Sequence, residues 1–553
     1  MTQRIYATPR ARPSPSVLPR PRLGWYVLVA LGLGSLALGL HAYTIQLARG
    51  DIVTGMRDPG RGGAAWGLYI SLYVYLVGVS FAGITVASIA RLFKLHVLEP
   101  VTRLAELLTI SSLIAGALAV LADLGRPDHG LVSLPDLARP SSPFYGTFTL
   151  VVAGYLFSSV VAFFVTGRRD AARMVRNGPR ALRWFYRLWA SGYRFTPEEH
   201  ARHGRATFWL AITILPLLVV AHSTLGFIFG IQAGRPGWYS ALMAPSFIVL
   251  AGASGMGMLI LAAVTLRRML GLRIPDASIH WLGGFLWVLC LIYLYFTVVE
   301  ELTATYAGPA LDRHVAHTIV TGQFSRSFAV AIGCLFLGFL IPFLQYLRAR
   351  PSVTGIAIAA GLANVGALVK RLLIVVPSQT HGSYLALEEG RYSPSWTEWA
   401  MLAGISSLVL LIILVFARIF PLVHGEEPEL ERDTPLPRDR MRKLVCLGWA
   451  AIASVLVIVG LTDSFRLWSG GELDPRLPLS PVIFASGVMM LFATAILYEV
   501  IPSRRRRERS ARIVDRARTR PAPPRVALAT ALRATERRPI PPSDQPPSPR
   551  SQP

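Results

Sequence analysis

Lysine is almost missing from this 553-residue chain: Lys94, Lys370 and Lys443 are the only three among 56 basic residues, so the rest is arginine. Charge of any sign is scarce, at 16% of residues, where a soluble protein of this length carries about a quarter. That excludes an ordinary water-soluble globule. Cysteine is rarer still. Cys290, Cys334 and Cys446 lie far apart in apolar segments, with no CxxCH haem attachment, no cluster-ligand set and no evident disulfide pair. The glycine-rich stretch VTGMRDPGRGGAAWGLYI (53–70) lacks the G-x-x-x-x-G-K-[ST] pattern and opens into lipid-type sequence, which excludes a nucleotide loop. A cleavable leader is not expected either: the segment from Gly24 is too long and has no small-residue cleavage site, so it reads as a retained first helix.

What is present is hydrophobic sequence in long blocks. The chain is 53% hydrophobic with a mean hydropathy of +0.47. The apolar residues fall in about twelve blocks of spanning length, near 24–46, 67–92, 103–124, 144–167, 207–231, 243–266, 279–302, 326–347, 354–377, 398–423, 443–464 and 480–501. The fold class is therefore all-α, a polytopic membrane protein. The net charge of +25 sits in alternate loops, which argues against nucleic acid and for the positive-inside rule. The stretch 168–206 alone holds Arg168, Arg169, Arg173, Arg176, Arg180, Arg183, Arg187, Arg194, Arg202 and Arg205. The pattern places both termini in the cytoplasm and the Arg-poor loops outside, in the cell's inner (plasma) membrane.

Residues 1–22 form a Pro/Arg-rich arm and 503–553 a basic Pro/Arg-rich tail; neither composition can bury a core, so both are expected to be disordered. Between them, 23–423 reads as a membrane core and 424–502 as two further spans. A faint repeat runs through the core. WGLYISLYVYLVGVSFAG (66–83) and GWYSALMAPSFIVLAGASGMG (237–257) each enter from the outer side with Trp and Tyr and then meet a Gly/Ser-rich centre. Two parallel four-helix bundles, about 67–231 and 243–377, would follow, with a site at their interface.

Ionisable residues within spans are functional candidates by default. His222 lies roughly 13 Å from the outer end of its span at 1.5 Å per residue. Asp123, followed by Arg126, closes the third span; Glu300 and Glu301 close the seventh; Lys370 and Arg371 occupy the outer half of the ninth. Tyr69 and Tyr73 share one face of the second span, and His41 stands near the outer end of the first. The inner half is poorer, with Glu106 and His280 close to its basic interface, where they could begin a proton path. Each has an ordinary reading: Arg126 tying off a helix end, a packing histidine beside Ser223, solvated carboxylates, snorkelling cations. Acid, base and imidazole gathered in one depth band suit a headgroup that exchanges protons as it changes redox state. His and Tyr can hydrogen-bond quinone oxygens while carboxylates relay protons.

In order and spacing, VTGMRD…WGLYI (53–70), RLAELLTI with DLGRP (103–127), HSTLGFIFG…RPGWYSALMAP (222–245), EELTATYAG (300–308), NVGALVKRLLIVVPS (364–378) and YSPSWTEWAMLAG (392–404) resemble the NrfD/PsrC family of membrane subunits. The long form is similar to the ten-span members of hydrogenase, sulfite-reductase-associated and alternative-complex-III assemblies. The resemblance implies a subunit that binds no haem, iron–sulfur cluster or metal. It would exchange electrons between a menaquinone or ubiquinone pool and a ferredoxin-like iron–sulfur partner, which connects to a molybdopterin or other catalytic subunit. Such a subunit is part of an oxidoreductase and not complete alone. His222, Asp123, Arg126, Glu300 and Arg371 fall on family motifs near the quinone or proton path, whereas Lys370 stands where members often have an acid. The sequence alone leaves open a proton-coupled secondary transporter and a purely structural anchor. The 53–70 stretch falls on the Arg-poor side as a lip of the expected site, with Trp66 as an interfacial anchor and Arg57 and Asp58 as candidates for partner docking.

Overall fold

The computed structural model describes residues 18–19, 21–57, 63–132, 151, 154–381, 390–423, 440–468 and 480–500. Asp58, the basic tail, most of the N-terminal arm and the 424–439 connection lie outside them. Every regular element among the described residues is helical. The principal ones are α1 (Leu23–Arg49), α2 (Leu68–Leu92), α3 (Glu99–Asp123), α4 (Phe157–Asn177), α5 (Arg183–Ala190), α6 (Pro197–Gly230) and α7 (Met243–Leu270). They continue with α8 (Asp276–Tyr306), α9 (Ala310–Val320), α10 (Ser325–Leu347), α11 (Val353–Val375), α12 (Trp396–Ile419), α13 (Arg440–Trp468) and α14 (Ser480–Val500).

Eleven of the described helices are long and apolar enough to cross a membrane, one fewer than the sequence blocks suggest. The difference is the block at 144–167. Residues 144–150 and 152–153 of it are outside the description, and the described helix α4 carries Arg168, Arg169, Asp170 and Arg173 in its second half. Its apolar part is too short to qualify by itself.

Local chemistry sets several helix starts. Thr196 caps α6 by accepting from the Glu199 amide, with Pro197 in the first turn; Ser352 caps α11 by accepting from Gly355; Ser395 and Glu398 form a reciprocal capping box on α12. Burial then sorts the helices. The apolar window of α2 is 94% buried inside the protein and that of α1 only 11%, so α2 is the hub and α1 a lipid-facing flank.

Helices α2 and α7 run parallel and cross on small residues. A Cβ at Gly78 would meet Ala251 at 3.4 Å, and one at Gly255 would meet the Ala82 Cβ at 2.6 Å. Both pairs have the same sequence separation, as two parallel helices crossing in register require. Beside this crossing α6 packs on α2 and α11 packs on α7. Gly39 of α1 and Gly404 of α12 meet in a similar way, each Cβ position about 3 Å from the other's Cα. Replacing Gly255 by Val is expected to destabilise the protein by about 1–3 kcal/mol through overpacking against Val79 and Ala82. Thermal unfolding in detergent checks this against Gly361→Val, whose Cβ position meets nothing within 4 Å.

The Arg-rich ends of the helices are joined by ion pairs. Arg103, fully buried, donates to the Thr166 hydroxyl at 2.6 Å, the Thr166 carbonyl at 2.8 Å and Asp170 at 2.8 Å. Glu499 near the end of α14 is buried against Arg168, with which it forms a hydrogen-bonded ion pair, and against His203 at 3.2 Å. These contacts fasten the last helix to α4 and α6. Replacing Glu499 by Gln removes the charge that both partners face and is expected to cost roughly 1–3 kcal/mol. The loss would read out as earlier proteolytic release of the C-terminal helix pair.

Candidate functional site

At the Arg-poor end, five separate segments meet in one hydrogen-bonded knot. Gln46 in the last turn of α1 donates through Nε2 to Asp51 Oδ1 at 2.8 Å and to the Ala122 carbonyl at 3.0 Å. Its Oε1 accepts from the Tyr69 hydroxyl at 2.8 Å, at the start of α2. Glu398, completely buried in the first turn of α12, accepts through Oε2 from the amides of Gly55 at 2.6 Å and Ser395 at 2.9 Å, and through Oε1 from the Tyr392 hydroxyl at 2.5 Å. Tyr392 in turn accepts from the Leu68 amide at 2.7 Å. Burial, and after it the Glu398 carboxylate, push the Tyr392 phenol above its ordinary value, so it stays protonated and donating. Gly67 has no Cβ because one would lie 2.3 Å from the Tyr392 oxygen.

Asp123 closes α3 in the middle of this knot. The residue is half-buried, but its Oδ1 is buried and has no hydrogen-bond partner among the described residues, while Asp51 and Glu398 both lie within electrostatic reach. A buried carboxyl oxygen near other acids is costly to leave unmet by a proton or a ligand. Tyr73, one turn below Tyr69, is also buried. Beside the knot, Gln379 brackets Trp66, accepting from its amide at 3.0 Å and donating to its carbonyl at 2.9 Å. The Trp66 ring stacks on Trp238 at 5.9 Å.

The structure separates two residues that the sequence reading set together. Asp123 is at a helix end, but His222 is buried opposite Val77, roughly 12 Å further along α2 than Tyr69 at 1.5 Å per residue. Its Nδ1 faces the Leu218 carbonyl at 2.9 Å and its Nε2 the Val77 carbonyl at 3.0 Å, and its ring is edge-on to Phe81 and Tyr155. Depth along a span is readable from sequence; the neighbour at that depth is not. Arg126 lies outside the knot altogether, exposed and paired with Asp128 at 3.1 Å.

The remaining candidates form two other groups. Between α8 and α11 Lys370, buried, pairs with Glu300 at 3.2 Å, with Glu301 close by. Arg371, also buried, lies over the Phe247 ring at 4.0 Å and donates to the Phe247 carbonyl at 3.1 Å, leaving Nη1 without a partner. Toward the Arg-rich end, Glu106 accepts from Arg91 at 2.5 Å and from the Thr166 hydroxyl at 2.9 Å, and a small pocket opens beside it between Ser88 and Ile214. His280 at the start of α8 has a buried Nε2 with no partner, and no hydrogen bond connects it to Glu106. His41 is exposed on α1. Sequence reasoning missed Gln46, Asp51, Gln379, Tyr392 and Glu398. Of these, only Glu398 carried a signal, as an acid in a quoted motif at a span start.

No group of three or more His, Cys, Asp or Glu that could hold a metal occurs among the described residues. The fold is thus that of a multi-pass integral membrane protein whose buried polar residues gather at helix ends and bundle interfaces. The profile described as "Polysulphide reductase, NrfD" matches residues 58–381, more than half of the chain, and the chain belongs to the NrfD family. It is 31% identical over 424 residues to a Halobacterium salinarum protein provisionally named as a dimethyl sulfoxide reductase membrane subunit, covering 72% of this chain and 91% of that one. It is 23% identical to a selenate reductase subunit of Mesobacillus selenatarsenatis, over 66% of this chain and 87% of that protein. It is 24% identical to the Hdr-like menaquinol oxidoreductase integral membrane subunit of Archaeoglobus fulgidus, over 72% of this chain and 94% of that protein.

Proposed function

We propose that this chain is the quinone-interacting membrane subunit of an oxidoreductase complex, and that the quinol headgroup docks at the knot around Asp123. The observation that carries the reading is the buried, unpartnered Asp123 Oδ1, with Tyr69 and Gln46 beside it. The Asp123 carboxyl fits such a ligand, donating when protonated and accepting when ionised, while the Tyr69 and Gln46 oxygens keep lone pairs that can accept from a quinol hydroxyl. A quinone, when bound, supplies a two-electron, two-proton couple. The chain's part is to hold the headgroup against the knot and to accept or return its proton at Asp123 Oδ1. Asp51, within electrostatic reach of Asp123, is a second acid through which the proton could leave toward the Arg-poor surface. His222 orients α2 against α6 from deeper in the bundle and acts through helix position. The relative named as a menaquinol oxidoreductase subunit supports the ligand class, and those named as reductase subunits support a catalytic partner.

Electrons pass, in this reading, to or from an iron–sulfur subunit seated over the Arg-poor loops, including Arg57, and onward to a molybdopterin or other catalytic subunit. The positive-inside rule puts that end outside the plasma membrane and the Arg-rich end in the cytoplasm. Glu106, and the group of Glu300, Glu301, Lys370 and Arg371, remain candidates for proton movement across the bilayer. The direct test is binding of a fluorescent quinol analogue to the purified full chain. Gln46→Leu, which removes the link between Tyr69, Asp51 and α3, is expected to weaken binding by roughly tenfold. Unchanged affinity in Gln46→Leu and Tyr69→Phe together would place the headgroup elsewhere.

A further inference from the structure

The segment between α4 and α6 is longer than a simple connection needs, and it lays a helix along the edge of the bundle. Helix α4 continues through Arg168, Arg169, Arg173 and Arg176; the chain then turns back and sets α5 against the end of α12. The inner face of α5 is firmly held. Tyr186 donates to the Ile419 carbonyl at 2.5 Å, the Trp189 indole donates to the Phe164 carbonyl at 2.9 Å, and its ring stacks on Phe420 at 4.3 Å. Gly167 makes room, since a Cβ there would lie 2.3 Å from the Trp189 ring.

The outer face of α5 has no such cover. Trp184 is 66% exposed and Leu188 70%, one turn apart, and beside them runs a second row of Arg183 and Arg187, with Arg180 just before. Among the described residues, Arg183 Nε is buried without a hydrogen-bond partner. Of the described acids nearby, Asp170 pairs with Arg103 and Glu199 accepts from the Arg194 amide. Among the described residues, cations therefore outnumber acids on this face.

The level of α5 decides what covers it. Ile419 ends the apolar span Trp396–Ile419, so a helix bonded to its carbonyl lies where hydrocarbon gives way to headgroups. In that layer Trp and Leu enter the acyl boundary while guanidinium groups pair with phosphate. We propose that α5 is an anionic-phospholipid docking element, with Trp184 and Leu188 inserted at the bilayer boundary and Arg180, Arg183 and Arg187 holding the headgroup phosphate. A soluble protein partner would have to cover the same apolar pair at the depth of the membrane boundary, which makes the lipid surface the better fit. The proposal concerns the end of the bundle opposite the quinol knot and stands independently of that reading.

The test uses the full chain in neutral detergent, titrated with phosphatidylglycerol and read by the lipid-dependent rise in Tm and by lipid retained in native mass spectrometry. The double variant Arg183→Gln/Arg187→Gln is expected to bind phosphatidylglycerol roughly tenfold more weakly. The pair Arg348→Gln/Arg350→Gln, exposed at the same end of the bundle beyond α10, should bind like the parent. Trp184→Ser/Leu188→Ser should also weaken binding while leaving the response to phosphatidylcholine alone. Equal weakening in both arginine pairs would overturn the proposal in favour of diffuse charge. Full competition by inorganic phosphate would overturn it in favour of a free-anion site. Unchanged lipid binding, with loss of a co-purifying soluble protein in the α5 variants, would assign the face to that protein.

Discussion

Replacing Asp123 by Asn should lower quinol-linked turnover of the assembled complex by roughly a hundredfold or more, the usual loss when a positioned general acid or base is removed. The substitution is close to isosteric, so the shape of the helix end is kept. What it removes is the ability of Oδ1 to take and return a proton. Nothing among the described residues hydrogen-bonds that atom, so no bond seen in the structure is lost with it. Stability and assembly should therefore hold while activity falls. Steady-state turnover, measured beside the yield of intact complex, separates the two. If assembly fails together with activity, Asp123 is a structural cap and the proton-transfer role assigned to it is wrong.

The second large effect is expected on stability. Glu398→Ala removes a fully buried carboxylate and leaves the half-buried Gly55 amide, Ser395 amide and Tyr392 hydroxyl without their acceptor, and it cuts α12 loose from the α1–α2 loop. Breaking a buried, charge-assisted set of this kind costs on the order of 3–5 kcal/mol. Glu398→Gln keeps one oxygen for the two amides and should lose only about 1–2 kcal/mol. Thermal unfolding of the purified chain ranks the two variants. Analogue binding should fall in the same order, because the loop that Glu398 holds carries Asp51 and leads into Tyr69.

Those two residues illustrate what a sequence makes legible. Asp123 stood out because an acid at the end of an apolar block is expensive wherever its neighbours turn out to be. Glu398 also has a sufficient local role, as the third residue of a capping box begun by Ser395. Its longer reach, to Gly55 across the whole chain, has no local trace. Gln46, Gln379 and Tyr392 are still less visible, being uncharged and ordinary at helix ends. The helical blocks and the Gly/Ser centres of 77–83 and 251–257 were readable because length and residue size alone decide how spans pack. His222 was readable as buried and polar, but the helix facing it is fixed by rotation about α6, and hydrophobic blocks do not encode that rotation. The block at 144–167 lies partly outside the described residues, and the described helix α4, which begins within it, carries Arg168, Arg169, Asp170 and Arg173 in its second half.

The central claim is the location of the quinol headgroup, and photolabelling tests it most directly. A photoreactive quinol analogue, activated on the native complex and mapped by mass spectrometry, should attach to peptides carrying Gln46, Tyr69, Asp123 or Tyr392, and excess native quinol should suppress the labelling. Labelling confined to peptides around Glu300, Lys370 and Arg371, with the knot untouched, would contradict the account and move the site there.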